Sequence, residues 1–342
     1  MKVSAVLGED FKAIPKRAAE LEAAGVGALY SSEVAREPFL PLMLAAEHTT
    51  RPDLMTSIAV AFSRNPMTLA AVAHELNAYS DGRFVLGLGS QVKSHILWRF
   101  NMPWSSPAAR MKEMIQALHA IWDCWYDGKD LDFRGQFYTH TLMTPRFMPG
   151  NTEAGRPRVV VAAVGPLMTK AAAQVSDGVI CHGFTTEKYM REVTIPQVEA
   201  TLAEEGRSRD KFEIVYPAFT VVGEDEKDIA EQTRKMRQLV AFYASTPAYR
   251  GVLEIHGWGD LQTEVQKLVK ADRWSETGDL IDDQVLNAFV TIGDAASVGE
   301  QLASRFGDIV DRVNLSSRTA STDEMATIVD RLKTVDRTAR RA

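Results

Sequence analysis

The chain has 342 residues, 45% of them hydrophobic, with 39 basic and 45 acidic side chains and a formal net charge of −6. That length holds two average domains or one α/β barrel with insertions, and the composition supplies a large core. The acidic balance argues against a nucleic-acid partner, whose phosphates are bound by clustered Lys and Arg; Arg337, Arg340 and Arg341 read as a solvated tail.

Cys124 and Cys181, with no C-x-x-C spacing, fit a reducing compartment and offer neither a zinc site nor a disulfide framework. The seven histidines show no H-x-H or H-E-x-x-H arrangement, so no metal is expected. The opening Lys2-Val3-Ser4-Ala5-Val6-Leu7 is strand-like and lacks the apolar region and cleavage site of a signal peptide. No run of about 18 apolar residues is present, and a cytoplasmic protein that does not span a membrane is the expectation.

Strand-like runs fall at 3–7, 28–31, 54–61, 84–88, 158–162, 179–181, 212–222 and 310–315. Helical patterns lie between them: Ile14, Ala18 and Leu21 at i, i+4, i+7, then 69–79, 108–126 and 229–243. In the last helix Ser321 and Glu324 fit a capping box, ahead of an apolar face of Met325, Ile328, Val329 and Leu332. Eight strand-helix units favour an α/β fold of the TIM (β/α)8 type over an open doubly wound sheet. The expectation is one domain over 1–342 with two insertions, near 127–157 and 244–288. The first holds a possible hairpin at 131–138 and the prolines Pro145, Pro149 and Pro157; the second holds Tyr249, His256, Trp258 and Trp274. Aromatic residues in a long connection suit a lid, a satellite core or an oligomer contact.

The stretch Asp81-Gly82-Arg83-Phe84-Val85-Leu86-Gly87-Leu88-Gly89-Ser90-Gln91 reads as a tight turn, a buried strand and a glycine-bearing loop, in which Gly87 and Gly89 would let backbone approach a ligand. A dinucleotide fingerprint would need a third glycine where Val92 stands, and no acidic ribose partner follows.

Six fragments in order now carry a resemblance: Ala19-Glu20-Leu21-Glu22-Ala23-Ala24-Gly25 with Ser31-Ser32-Glu33, then Arg64-Asn65-Pro66, then Ser80 to Gly89, then Ala162-Ala163-Val164-Gly165-Pro166 and Ser176-Asp177-Gly178-Val179. Together they resemble the luciferase-like monooxygenase superfamily along almost the whole chain. Phe137-Tyr138-Thr139-His140-Thr141-Leu142-Met143-Thr144-Pro145 and His182-Gly183-Phe184-Thr185-Thr186-Glu187 are similar to its branch of deazaflavin (coenzyme F420) dependent oxidoreductases.

The resemblance implies a site at the C-terminal ends of the strands, where a non-proline cis peptide in a bulge of the third strand supports the cofactor ring; matching places that bond at Ser57/Ile58. Gly89, Ser90 and Gln91 would line the same mouth. Ala162, Ala163, Val164, Gly165 and Pro166 end a strand and open a helix, so free amides can face an anionic cofactor tail, although an ordinary turn would look the same. His182, with Gly183, could donate to a phosphate or to the ring edge, or be a satisfied structural residue. Glu33 is a candidate contact to the ring or its hydroxyl edge. His95 or His182 could act as general acid, and Gln91, His95, Trp98, Arg99, Phe100 and Trp104 would lie over the mouth; for Trp104 helix packing is the simpler reading. Family members that carry a histidine after the acidic residue, or a glutamate after the glycine loop, are matched here by Val34 and Val92, so a sugar-phosphate substrate is not carried over.

The expected activity is hydride transfer between coenzyme F420 and a small organic substrate. The alternatives are an FMN-dependent monooxygenase using reduced flavin and oxygen, and a non-catalytic flavin-binding barrel. The family also leads one to expect a homodimer.

Overall fold

The computed structural model describes residues 1–315 and 320–333; the arginines of the expected C-terminal tail lie outside the described residues. Eight parallel strands, β1 (Lys2–Val6), β2 (Ala28–Ser31), β3 (Asp53–Thr56), β4 (Phe84–Gly89), β5 (Arg158–Ala162), β6 (Gly178–Ile180), β7 (Glu213–Val222) and β8 (Arg312–Leu315), pair in chain order. The ring closes through β8 on β1, with Lys2 opposite Arg312 and Ser4 opposite Asn314, so the fold is the expected TIM barrel. Inside it Tyr30, Met55, Val85, Val160, Ile180 and Val215 form one apolar cluster. Outside, the opposite strand faces (Leu29, Leu54, Phe84, Leu86) pack on the helices through residues such as Leu118 and Trp122.

Local sequence explains the punctuation. Asp81 and Gly82 take positive φ of 53° and 80°, turning the chain into β4. Asn65 caps the helix Pro66–Tyr79 by accepting the Thr68 amide at 3.0 Å. The capping box also forms: the Ser321 amide donates to Glu324 (2.7 Å) and the Glu324 amide to Ser321 Oγ (3.2 Å).

The third strand departs from the continuous run expected over 54–61. Leu54 and Met55 pair with Phe84 and Val85, so an unbroken ladder would set Ile58 opposite Leu88; Ala59 stands there instead. One extra residue is therefore inserted as a bulge, and the Ser57–Ile58 peptide within it is cis. A further short strand, Val290–Gly293, extends the sheet beside Phe219–Val222, the half of β7 that has left the barrel; four residues after a helix gave no strand signal of their own.

Residues 127–157 hold an antiparallel pair, Phe133–Arg134 with Thr139–His140. Glu113 pins their turn by accepting the amides of Gln136 (2.9 Å), Phe137 (2.6 Å) and Tyr138 (2.8 Å). Between β7 and β8 the helices Arg250–Glu254, Gly259–Lys270 and Asp283–Phe289 gather a second apolar core around Leu253, Val265, Leu286 and Phe289. The N-terminal end of the barrel is closed by ion pairs: Arg312, fully buried, reaches Asp53 and Glu213, and Asp53 also meets Arg158 and Lys2. Burial raises the Asp53 carboxyl, but Arg312 and Arg158 outweigh it and hold the group below the usual range. No described helix is long and apolar enough to cross a membrane.

Candidate active site

At the C-terminal ends of β2 and β3 the backbone of the bulge is held from three directions. The Ser57 amide donates to the Ser31 carbonyl (2.7 Å), Ser32 Oγ donates to the Ser57 carbonyl (2.7 Å), and the Glu33 amide donates to the Ile58 carbonyl (3.1 Å). From β8, Asn314 Nδ2 donates to Ser57 Oγ at 3.2 Å. Asn314 is buried, and its Oδ1 has no partner among the described residues. An acceptor of this kind inside a barrel mouth is suited to a ligand donor.

The Glu33 side chain is only 7% exposed, and its Oε2 accepts from the Val60 amide (2.7 Å) and Arg64 Nη1 (2.6 Å). The carboxylate thereby fastens the chain where it leaves the bulge. Its Oε1 takes no hydrogen bond among the described residues and is left for a donor. Arg64 also donates to Glu37 Oε1 (3.1 Å) and lies over the Phe39 ring, a set of contacts that the sequence reading did not anticipate.

The glycines of β4 have a different use from the expected ligand approach. A Cβ on Gly87 would lie 1.8 Å from the Thr56 carbonyl oxygen, and one on Gly89 would lie 2.7 Å from Ile58 Cδ1. Protein atoms fill both spaces, so the glycines make room for the bulge itself. Ile58, Gly89 and Ala162 consequently meet, with Ala162 Cβ 3.6 Å from the Gly89 position, as an apolar seat across the ends of β3, β4 and β5. Beyond it Gln91 takes φ 58° and accepts the Val92 amide through its own Oε1 (2.9 Å), while Ser90 Oγ donates to the Gln91 carbonyl (3.2 Å).

His95 opens a π-helical turn, His95–Arg99, and is exposed; its ring makes no hydrogen bond among the described residues. Arg99 donates to the Val34 carbonyl (2.7 Å), tying the loop after β4 to the loop after β2, and Trp98 is 82% exposed. Trp104 packs edge-on against Phe62 in the core, as helix packing would have it.

At the end of β5, Gly165 precedes the helix Pro166–Val175, whose first turn has no side-chain cap. Gly165 has an ordinary φ of −104°, and a Cβ there would meet nothing within 4 Å. No protein contact calls for glycine; the space beside Gly165 is open and the helix start is uncapped, a fit for an anionic group. A narrow cleft joins this segment to β6, lined by Ala163, Val164, Thr169, Cys181, His182 and Phe184. Gly183 beside it is required by Phe219, which a Cβ would approach at 2.5 Å.

His182 is enclosed by the aromatic rings of Tyr243 and Tyr249, and its Nδ1 accepts the Phe184 amide at 2.9 Å. Burial pushes its pKa down to about 4, so the imidazole is neutral near pH 7 and has no imidazolium proton to give. Burial pushes the neighbouring Cys181 thiol up to about 12, which removes it as a nucleophile. The site thus combines an apolar seat over the bulge, a free backbone terminus at Gly165 and neutral polar groups at β6. These features suit an apolar ring face and an anionic group; among the described residues no cluster of His, Cys, Asp and Glu could hold a metal. Tyr243, Tyr249 and Asn314 join it through contacts with residues remote in sequence; of the three, only Tyr249 had a signal in the sequence, the aromatic content of 244–288.

Similarity to known proteins agrees with this architecture. An uncharacterized protein of Mycobacterium tuberculosis is 46% identical over 296 residues, covering 86% of this chain and 87% of that protein. The 5,10-methylenetetrahydromethanopterin reductase of Archaeoglobus fulgidus is 23% identical over 296 residues, 85% of this chain and 81% of the reductase. The solved structure of coenzyme F420 dependent tetrahydromethanopterin reductase from Methanopyrus kandleri superposes with a TM-score of 0.77 at 18% identity, covering 96% of each chain, which establishes the shared barrel. Residues 2–312 match the luciferase-like monooxygenase family, and the chain belongs to it.

Proposed function

We propose that this oxidoreductase uses coenzyme F420 and a small organic substrate. The deazaflavin, when bound, supplies hydride transfer; the protein supplies position, dryness and hydrogen bonds. The observation that carries the reading is the pairing of two surfaces: the apolar seat of Ile58, Gly89 and Ala162, and the open, uncapped helix start at Gly165. A planar ring fits the first and a phosphate-bearing tail fits the second. Ser57, Ile58, Ser90, Gln91 and the amides of Val164 and Gly165 would hold the cofactor, the Ala163 amide being spent on the Ile180 carbonyl (3.0 Å), with Glu33 Oε1 and Asn314 Oδ1 available to its donors. F420 dependence is also in the name of the superposed reductase structure. The chain is further proposed to act as a cytoplasmic homodimer without nucleic-acid or membrane partners.

The test is a side-by-side titration of the purified protein with F420 and with FMN, each oxidised and reduced, followed by fluorescence and absorbance. Selective binding of the deazaflavin is expected. Preference for reduced FMN would move the chain to the oxygen-using members of its family, and tight F420 binding without turnover across a substrate screen would make it a binding protein.

A further inference from the structure

The residue that best exploits the end of β6 comes from outside the barrel strands. His182 Nδ1 accepts the Phe184 amide, which leaves the single ring proton of the neutral imidazole on Nε2. Nε2 lies 3.1 Å from the Tyr249 hydroxyl, with the two rings stacked at 4.6 Å and 29°. The direction of the bond follows: the imidazole donates and the phenol oxygen accepts. The phenolic proton is therefore not spent on His182, and no other described group accepts it. Accepting one hydrogen bond strengthens the phenol as a donor of the next.

Tyr249 is also fixed in place. Besides the imidazole, its ring meets Phe184 at 5.5 Å and, edge-on, Tyr243 at 5.7 Å. It belongs to the 3-10 turn Pro247–Tyr249 of the segment between β7 and β8, which this contact brings over the β6 end. His182 also lines the cleft that leads to Ala163 and Val164, the approach to Gly165.

We propose that Tyr249 is a hydrogen-bond donor to an oxygen of the ligand held across the ends of β5 and β6, and that His182 is the positioning residue that presents it. The inference rests on the cofactor reading above. The acceptor is an oxygen of the deazaflavin, supplied either by a ring carbonyl or by the phosphate of the tail. Burial pushes the Tyr249 phenol up to about 12, which keeps the donated proton in place throughout the neutral range.

The experiment has two readouts. In protein labelled with 15N-histidine, two-bond proton-nitrogen spectra at pH 7 are expected to show His182 with its proton on Nε2, in wild type and in Tyr249→Phe; a proton on Nδ1 would overturn the proposal. Fluorescence titrations then compare F420 with its chromophore carrying only the ribityl chain. Tyr249→Phe keeps the ring and its stacking, and is expected to weaken F420 binding about tenfold, the scale of one hydrogen bond. A tenfold loss with both ligands places the acceptor on the ring side of the cofactor, and a loss with F420 alone places it on the phosphate-bearing tail. Equal affinity of variant and wild type for F420, at matched thermal midpoints, overturns the proposal. Failure of the wild type to bind F420 overturns the cofactor reading and the ligand half of this one together, and is recognised because no substitution is involved.

Discussion

Replacing His182 with Gln should change how stability depends on pH, by an amount that follows from the burial of the ring. In the folded chain the imidazole stays neutral down to about pH 4, whereas in the unfolded chain it titrates at its ordinary 6.5. Between those values the unfolded state binds a proton that the folded state refuses, so stability is unaffected above about 6.5 and falls as the pH drops toward 4. The interval of about 2.5 pH units corresponds to about 3 kcal/mol in full, of which about 2 kcal/mol has been lost at pH 5. Urea unfolding of wild type and His182→Gln at pH 7 and pH 5 isolates the contribution, because the carboxylates titrate alike in both proteins. The wild-type advantage should shrink by about 2 kcal/mol between the two conditions. An advantage that is the same at both pH values would refute the argument that this imidazole is buried neutral.

Gly165→Leu should leave the thermal midpoint unchanged, because φ is ordinary and the space is open, while weakening F420 binding at least about tenfold; unchanged affinity in a fluorescence titration would make Gly165 an ordinary turn. Glu33→Ala removes the acceptor of the Val60 amide and the partner of Arg64, and should cost about 2–3 kcal/mol by urea unfolding. It should also weaken F420 binding, and unchanged affinity would remove the carboxylate from the site. Arg312→Ala leaves Asp53 and Glu213 facing each other without their shared cation and should cost about 3–5 kcal/mol at pH 7. A loss below about 1 kcal/mol would show that the remaining cations and water already satisfy those carboxylates.

The barrel was legible because its strands are buried on both faces and read as short apolar runs separated by helical patterns. The strand-helix alternation was enough for the closed topology; the bulge was not, since Leu54 to Ala61 has no breaker, and only the resemblance pointed to Ser57. The glycines of β4 were legible as special but not as to why. Gly87 and Gly89 yield to Thr56 and Ile58, contacts more than 25 residues away in the chain. The same distance hides the Glu33–Arg64 pair and the meeting of His182 with Tyr249. Pattern reading sees which residues share a strand or a helix face, whereas a site at a barrel mouth is assembled from the ends of different elements.

The ion pairs that close the N-terminal end also act as a registration device. Arg312 on β8 spans to Asp53 on β3 and Glu213 on β7, and Arg158 on β5 shares Asp53. Sliding β8 by one residue would turn Arg312 outward and put Val313 inside, stranding two carboxylates, so misaligned closures are penalised more heavily than an all-apolar floor would penalise them. The stagger of the strands is thus specified at one end of the barrel, and the loops at the other end can vary without changing how the cylinder is wound.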